Sequence, residues 1–212
     1  MKRARVIALI VGLVQSLVFA LPTKQQSGPE VANKPRSALS KMSDSNGRAS
    51  ESASSKPVPH ELHIEVLKGR RLLRVYSGRR LVRACRIGLG ASPDGQKERE
   101  GDSRTPVGRY YVCSKNPKSS YYLSLGLSYP NERDAKRGLR SGVINKTQYD
   151  EIVSANRNKA RPPWNTPLGG EIFIHGNGAG SDWTAGCVAV ENSEMAELFE
   201  LIPLGTPVVI KP

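Results

Sequence analysis

The sequence predicts a mainly β domain with short helices, arranged as a β-sandwich or partly open barrel with a helical insertion. Its 212 residues leave room for one domain of about 150 residues and an appendage. Short segments that alternate apolar and polar residues recur after residue 61, whereas helical periodicity is clear in one segment only. Apolar residues at 38% and a total of three cysteines exclude a polytopic membrane protein and a disulfide-stapled miniprotein.

Residues 1–21 are predicted to be a secretory signal peptide or an N-terminal membrane anchor. Basic residues at positions 2, 3 and 5 precede a long apolar run. The run is short for a membrane span of roughly 20 residues, and Ala20 provides the small residue that a signal peptidase requires. We expect an exported protein of the periplasm or cell envelope. Cleavage is the first interpretation, and retention as a membrane tether is the alternative.

Residues 22–60 are predicted to form a disordered linker to a domain at residues 61–212. Ser, Lys, Pro, Gln and Asn dominate this segment, which cannot bury enough apolar surface to offset its ordering entropy. Residues 1–60 hold nine Lys/Arg and three Asp/Glu, a net charge of +6, so the domain holds +7 of the total +13. Export and the lack of an aromatic-basic motif argue against nucleic-acid binding, and the positive charge favours another anionic partner.

The domain is predicted to begin with a β-meander, because three alternating segments are separated by Gly-containing turns. Further strands are expected where apolar residues cluster between turns, including an apolar strand that ends at the Pro130 turn. The predicted meander strands are Leu62–Val66, Leu72–Tyr76 and Leu81–Ile87, and the later strands are Pro106–Val112, Glu171–His175 and Val208–Ile210.

Helices are the minority. Apolar residues recur with helical spacing from Met195 to Ile202, where Asn192 is predicted to cap the helix and Pro203 to end it. Two polar segments, Asn131–Arg140 and Thr147–Asn158, are predicted to be surface helices that form the insertion.

The stretch from Glu171 to Glu191 carries the chemistry. A predicted strand delivers His175 to its end, a glycine-rich loop follows, and Cys187 stands between Gly186 and an apolar residue. A cysteine nucleophile requires a base within hydrogen-bond reach, and the loop is long enough to bring the imidazole to the sulfur. Bare backbone at Gly186 leaves room for N–H groups that face a developing oxyanion.

Three other interpretations apply to this stretch. A cysteine among small and apolar residues is most often inert core, so Cys187 taken alone favours a structural role. The loop glycines resemble a nucleotide-binding loop, but no helix pattern or βαβ unit accompanies them. Zinc bound by His175, Asp182 and Cys187 is chemically reasonable, yet the paired ligand spacing of zinc sites is missing. No metal or organic cofactor is predicted.

The motifs resemble those of the L,D-transpeptidase (YkuD-type) catalytic domain of bacterial cell-wall enzymes. His175-Gly176 and Thr184-x-Gly186-Cys187 are similar to the His-Gly and [Ser/Thr]-x-Gly-Cys motifs of this family. Upstream, residues 88–110 are similar to the segment that these domains place on the strand facing the active site. The resemblance extends over about residues 62–210, and it implies the L,D-transpeptidase catalytic fold.

By this resemblance, Cys187 is the nucleophile and His175 is the general base and later the general acid. The carbonyl of Gly176 orients the imidazole, the amides of Gly186 and Cys187 form the oxyanion hole, and Thr184 shapes the turn. The implied reaction is acyl transfer on peptidoglycan stem peptides. The thiolate displaces the terminal D-alanine of a tetrapeptide to form a thioester, which an amine of a second stem resolves.

The chain departs from the family pattern at two positions. Many members have a second histidine before the Gly-Cys pair and an arginine or asparagine two residues after the cysteine, where this chain has Ala185 and Ala189. The loop between His175 and Cys187 is also shorter. These differences leave the acceptor open. Hydrolysis of the same acyl-enzyme by an L,D-carboxypeptidase or amidase is one alternative, and a non-catalytic wall-binding module is another.

Four residues are candidates for substrate contact. Trp183 lies beside the motif, where it either lines a groove or packs the loop. Tyr129 ends the apolar strand, and Asn131 and Arg133 follow as polar residues that either meet a charged peptide or start a solvated helix.

Cys85 and Cys113 fall in predicted strands, where two buried thiols or a disulfide are both compatible with export.

Overall fold

The computed structural model describes residues 62–212. The predicted signal or anchor at 1–21 and the predicted linker at 22–60 lie outside the described residues. The strands are β1 (Leu62–Leu67), β2 (Leu72–Ser77), β3 (Arg80–Arg86), β4 (Gly108–Ser119), β5 (Tyr122–Leu127), β6 (Phe173–His175), β7 (Val188–Ala189) and β8 (Pro207–Lys211). The helices are α1 (Glu132–Arg140), α2 (Lys146–Arg157) and α3 (Asn192–Leu201), with a 3-10 turn at Lys68–Arg70.

The strands form a curled, half-barrel sheet in the order β3-β2-β1-β8-β4-β5-β6-β7. Strands β1 to β3 are consecutive antiparallel neighbours, so the predicted meander is confirmed. The C-terminal strand β8 lies parallel to β1 and antiparallel to β4. Strands β4 and β5 form an antiparallel hairpin, and β6 lies antiparallel to β5. The short strand β7 lies parallel to β6. The predicted mainly β fold with a helical insertion between two strands is confirmed.

The main core consists of apolar side chains on one face of the strands and on α3. Burial along β1 alternates, with Leu62, Ile64 and Val66 inside, as the period of two in the sequence predicts. From α3, Met195 and Leu198 complete this core. Strand β4 is longer than predicted, because it continues beyond residue 112 as a hairpin with β5.

The insertion consists of α1 and α2, and the ends of both helices lie within one residue of the predicted ends. Each helix begins after an asparagine that forms a capping box, Asn131 for α1 and Asn145 for α2. The helices enclose a second, smaller core that includes Ala135, Ile152 and Leu168. Among the described residues, no helix is both long and apolar enough to cross a membrane.

The predicted cap of α3 is wrong. Glu191 occupies the N-cap position and Asn192 is already helical. The side chain of Asn192 instead accepts the backbone N–H of Asn177 at 2.7 Å. This contact ties the start of α3 to the loop that follows β6.

Cys85 and Cys113 are free thiols in the structure. Burial raises the pKa of Cys85 to about 12 and that of Cys113 to about 11. Both thiols therefore stay protonated and unreactive at neutral pH.

Candidate active site

Strands β6 and β7 place His175 and Cys187 on the same face of the sheet. Their parallel register pairs Ile174 with Val188 and His175 with Ala189. Side chains alternate between faces along a strand, and Ile174 and Val188 are both fully buried in the core. Cys187 directly precedes Val188, so its side chain leaves the opposite face, as that of His175 does. The two groups are therefore diagonal neighbours on one face.

The imidazole of His175 is oriented by the residue that follows it. Its Nδ1 lies 2.7 Å from the carbonyl oxygen of Gly176. A carbonyl oxygen only accepts hydrogen bonds, so Nδ1 carries the proton and Nε2 keeps its lone pair. Burial of His175, which is 2% exposed, lowers its pKa, and the Gly176 carbonyl opposes this shift. At neutral pH the ring is therefore neutral, and Nε2 is its unprotonated nitrogen.

Two aromatic rings cover this imidazole. Tyr121 stacks on His175 with centroids 4.7 Å apart, and Trp183 meets the ring edge-on at 5.5 Å. The indole N–H of Trp183 donates to the carbonyl of Gly178 at 3.2 Å, so Trp183 packs the loop between His175 and Cys187. Tyr121 lies in the turn between β4 and β5 and belongs to the site. The sequence favours an apolar strand over the stretch that begins at Tyr121, with the edge of a cleft as the alternative, and only the tertiary fold brings this residue to the histidine.

The thiol of Cys187 is held by backbone groups. It donates to the carbonyl of Glu171 at 3.4 Å and accepts the N–H of Phe173 at 3.4 Å. No hydrogen bond found within residues 62–212 joins this sulfur to His175. Burial raises the pKa of Cys187 to about 11, while the Phe173 N–H and the charge of Lys97 oppose the increase. The resting pair is therefore a neutral thiol and a neutral imidazole.

The turn before Cys187 is held by the hydroxyl of Thr184. This oxygen accepts the N–H of Gly186 at 3.1 Å and donates to the carbonyl of Cys187 at 2.9 Å. The Gly186 amide, one of the two predicted oxyanion donors, is therefore already bonded to Thr184. The Cys187 amide takes part in none of the loop and turn hydrogen bonds of the described residues, and it is the donor that stays available.

The upstream segment at residues 88–110 packs behind this turn. Gly88 and Ala189 exchange two backbone hydrogen bonds of 2.9 Å. The N–H of Gly90 donates to the hydroxyl of Thr105 at 2.9 Å, and this hydroxyl lies 3.4 Å from the carbonyl of Cys187. A side chain at Gly90 would place its Cβ 2.1 Å from the Ser103 carbonyl. This close approach explains why glycine occupies the position.

A buried ion pair contains a cation that affects the pKa of Cys187. The ammonium of Lys97 lies 2.7 Å from the carboxylate of Asp102, and both side chains are largely buried. The Lys97 charge is one of the influences that lower the pKa of Cys187 against the effect of burial. The lysine in the upstream motif thus favours the thiolate form of the sulfur.

Asp182 anchors the loop between His175 and Cys187. Its carboxylate accepts hydrogen bonds from Nε and Nη2 of Arg71, the latter at 2.6 Å. It also accepts a hydrogen bond from the backbone N–H of Leu89 at 2.9 Å. These bonds commit both carboxylate oxygens, so Asp182 is not available for the zinc site considered above. Among the described residues, no group of His, Cys, Asp and Glu forms a metal site.

The other candidates for substrate contact lie elsewhere. Tyr129 has no exposed surface, and its hydroxyl donates to a backbone carbonyl at 3.1 Å. Asn131 caps α1, as expected if this polar segment starts a helix and does not contact a peptide. Arg133 lines a cavity whose walls include neither His175 nor Cys187. The structure therefore brings Trp183, but not these three residues, to the histidine.

A groove of about 550 Å³ has Glu171 in its wall, although neither Cys187 nor His175 lines it. Its lining includes Glu171, whose carbonyl accepts the Cys187 S–H, and Trp164, whose ring packs edge-on against Phe173 with centroids 5.3 Å apart. Arg161 lies over the Trp164 ring at 4.9 Å. The groove thus offers an aromatic surface and charges of both signs.

Comparison with known proteins identifies the family of this domain. The sequence profile of the L,D-transpeptidase catalytic domain, YkuD, matches residues 61–210. The chain belongs to the L,D-transpeptidase catalytic domain family. The resemblance inferred from the two motifs is thereby confirmed. Among curated protein sequences, none matches this chain.

Comparison with solved structures also finds similar proteins. A point variant of the helical cell shape determining protein Pgp2 from Campylobacter jejuni is 25% identical over 76% of this chain and 52% of that chain, with a TM-score of 0.50. Bd1075 from Bdellovibrio bacteriovorus is 21% identical over 71% of this chain and 48% of that chain, with a TM-score of 0.48. This chain therefore spans about half the length of these proteins.

Proposed function

We propose that this protein is a peptidoglycan L,D-transpeptidase that works through a thioester on Cys187. The observation that carries the proposal is the placement of His175 and Cys187 on one sheet face, with Nε2 of the imidazole unprotonated. A base with a free lone pair beside a thiol is what cysteine-dependent acyl transfer requires. Membership of the L,D-transpeptidase family supports the same reaction.

The reaction begins when the thiol leaves the Glu171 carbonyl and gives its proton to Nε2 of His175. The Phe173 N–H and the Lys97 charge favour the thiolate that results. The thiolate attacks the carbonyl carbon of the third stem residue, and the negative oxygen that forms accepts the amide N–H of Cys187. His175 then protonates the departing nitrogen, so that D-alanine leaves and a thioester remains.

The second half-reaction restores the enzyme. An amine of another stem peptide attacks the thioester carbon, and His175 removes a proton from that amine. The carbon–sulfur bond breaks, the stems are joined by an amide bond, and the proton on His175 returns to the sulfur. The groove at Glu171 and Trp164 supports this assignment, because the backbone carbonyl of Glu171 accepts the Cys187 S–H.

Peptidoglycan stem peptides are the proposed partners. The apolar N-terminal run supports export to the periplasm or cell envelope, with a membrane tether if the run is not cleaved. The net charge of +13 suits work beside an anionic wall. Cell-wall biogenesis, with an effect on cell shape, is the proposed biological role.

Incubation of the purified full chain with a disaccharide-tetrapeptide tests the proposal. Mass spectrometry should show D-alanine release and a cross-linked dimer, and both should disappear in Cys187→Ala and His175→Ala. Cys113→Ala is the matched control, because it removes a free thiol outside the site. Undiminished release by Cys187→Ala would refute the thioester. D-alanine release without any dimer would replace transfer by hydrolysis of the acyl-enzyme.

A further inference from the structure

A second cavity, of about 490 Å³, lies between the turn after β1, the loop at residues 93–96 and the start of α1. Its volume is within the range of small-molecule sites. The walls include neither His175 nor Cys187, so the acyl-transfer chemistry does not account for the cavity.

Basic side chains dominate the charged part of the lining. Lys68, Arg71, Arg133 and Arg137 line the cavity together with the carboxylates Asp94 and Asp134 and with Pro212, the last residue of the chain. Two of the basic groups are already neutralised. Arg71 is paired with Asp182 at 2.6 Å, and Arg137 is paired with Asp134 at 2.8 Å.

Lys68 is a buried cation without a counterion. The residue is 4% exposed, and its ammonium donates only to the backbone carbonyls of Gly95 at 2.8 Å and Thr105 at 2.7 Å. No carboxylate oxygen of the described residues lies within 4 Å of its nitrogen, and its third N–H has no acceptor there. Burial lowers the pKa of Lys68, with Asp94 as the largest opposing influence. A buried charge in this state is costly unless an anion accompanies it.

Arg133 is the second uncommitted cation of this cavity. It is exposed on the first turn of α1 and forms no ion pair with another described residue. A guanidinium presents a planar fork that binds a carboxylate through two N–H groups. Asp94 and Asp134 in the same walls disfavour a ligand with two negative charges, and Pro93 and Val107 provide apolar surface.

We propose that this cavity binds a small organic monocarboxylate, whose carboxyl group is held by Lys68 and Arg133. The apolar walls accommodate the short carbon chain, and the single negative charge of the ligand compensates Lys68. This site is independent of the proposed acyl transfer, because it uses none of the groups that take part in it.

Titration of the ¹⁵N-labelled full chain with sodium propionate, against sodium chloride at equal ionic strength, tests the inference. The amide signals of Gly69, Gly95 and Arg133 should move saturably, with a dissociation constant in the millimolar range expected for so small a ligand, about −4 kcal/mol. In Arg133→Ala, binding should weaken by about tenfold or more, because one of two charged partners is lost.

Arg157→Ala is the matched control, since it removes an exposed arginine of α2 that does not line the cavity. Lys68→Met keeps the length of the side chain and should abolish saturation. The exposed position of Arg133 makes its variant a test that does not depend on Lys68→Met folding. Shifts that stay linear in propionate, or equal affinity in Arg133→Ala and Arg157→Ala, would overturn the proposal.

Discussion

Substitution of Arg71 by alanine should loosen the loop between His175 and Cys187. Arg71 and Asp182 form a forked, charge-assisted contact, with two bonds of 3.0 Å from Nε and one of 2.6 Å from Nη2. Asp182 directly precedes Trp183, which packs on the imidazole. Loss of the guanidinium leaves the carboxylate with the Leu89 N–H as its remaining partner among the described residues.

The magnitude follows from the exposure of the pair. The side chains of Arg71 and Asp182 are 35% and 21% exposed, so solvent screens the contact only in part. Hydrogen bonds to charged groups contribute about 1.5–3 kcal/mol, and partial exposure places this pair near the lower end, at about 2 kcal/mol. If the whole loss of about 2 kcal/mol affects the loop and not the rest of the domain, the population of the native loop conformation relative to displaced loop conformations falls roughly 30-fold.

The assay measures unfolding by urea and acylation of Cys187 by a carbapenem, followed by intact mass. Arg71→Ala should lower the free energy of unfolding, the acylation rate, or both. Arg83→Ala is the matched control, because its pair with Glu197 has the same 2.6 Å separation but side chains 48% and 54% exposed. That pair should contribute about 0–1 kcal/mol. Indistinguishable stability and acylation rates in the two variants would show that the fork does not hold the loop.

Three further predictions concern the same turn. Thr184→Val should destabilise the fold by about 1–3 kcal/mol and slow carbapenem acylation, because the Gly186 N–H loses its acceptor. Thr184→Ser should retain most of the stability and most of the acylation rate. Urea unfolding measures the first quantity and intact mass the second. Gly186→Ala should be more destabilising than Thr184→Val in the same unfolding assay, since its Cβ would lie 2.8 Å from a backbone oxygen at a φ of +134°. Alkylation of Cys187 by iodoacetamide should rise about tenfold per pH unit from pH 7 to 10, because a pKa of about 11 leaves roughly one thiolate in ten thousand at pH 7; a plateau below pH 8 would contradict the raised pKa.

Local pattern was sufficient for much of the fold. The alternation that predicts β1 to β3 reflects burial of one face, and that face is the same in the folded domain. Asn192 shows where local reasoning fails. Its residue type is right for a cap, but the N-cap is one residue earlier, at Glu191. The Asn192 side chain is instead bonded to the Asn177 amide. A contact with a distant loop overrode the local preference.

The same limit applies to the candidate site. The positions of His175 and Cys187 follow from a strand end and a short motif, which a sequence displays directly. Tyr121 and Arg71 reach the site only through pairing of β5 with β6 and through a turn after β1. No spacing in the sequence relates them to the histidine or the loop. The oxyanion donor was also beyond local reasoning, because the hydroxyl of Thr184 takes one of the two predicted amides.

The resting state of the thiol bears on how activation must occur. The Cys187 S–H donates to Glu171, a non-glycine residue whose φ of 53° lies in the left-handed region. A proton donated to that carbonyl is not available to Nε2 of His175 until the side chain turns. In the proposed mechanism, rotation of the Cys187 side chain away from the Glu171 carbonyl therefore precedes formation of the thiolate, and the pair of thiol and imidazole is neutral before that step.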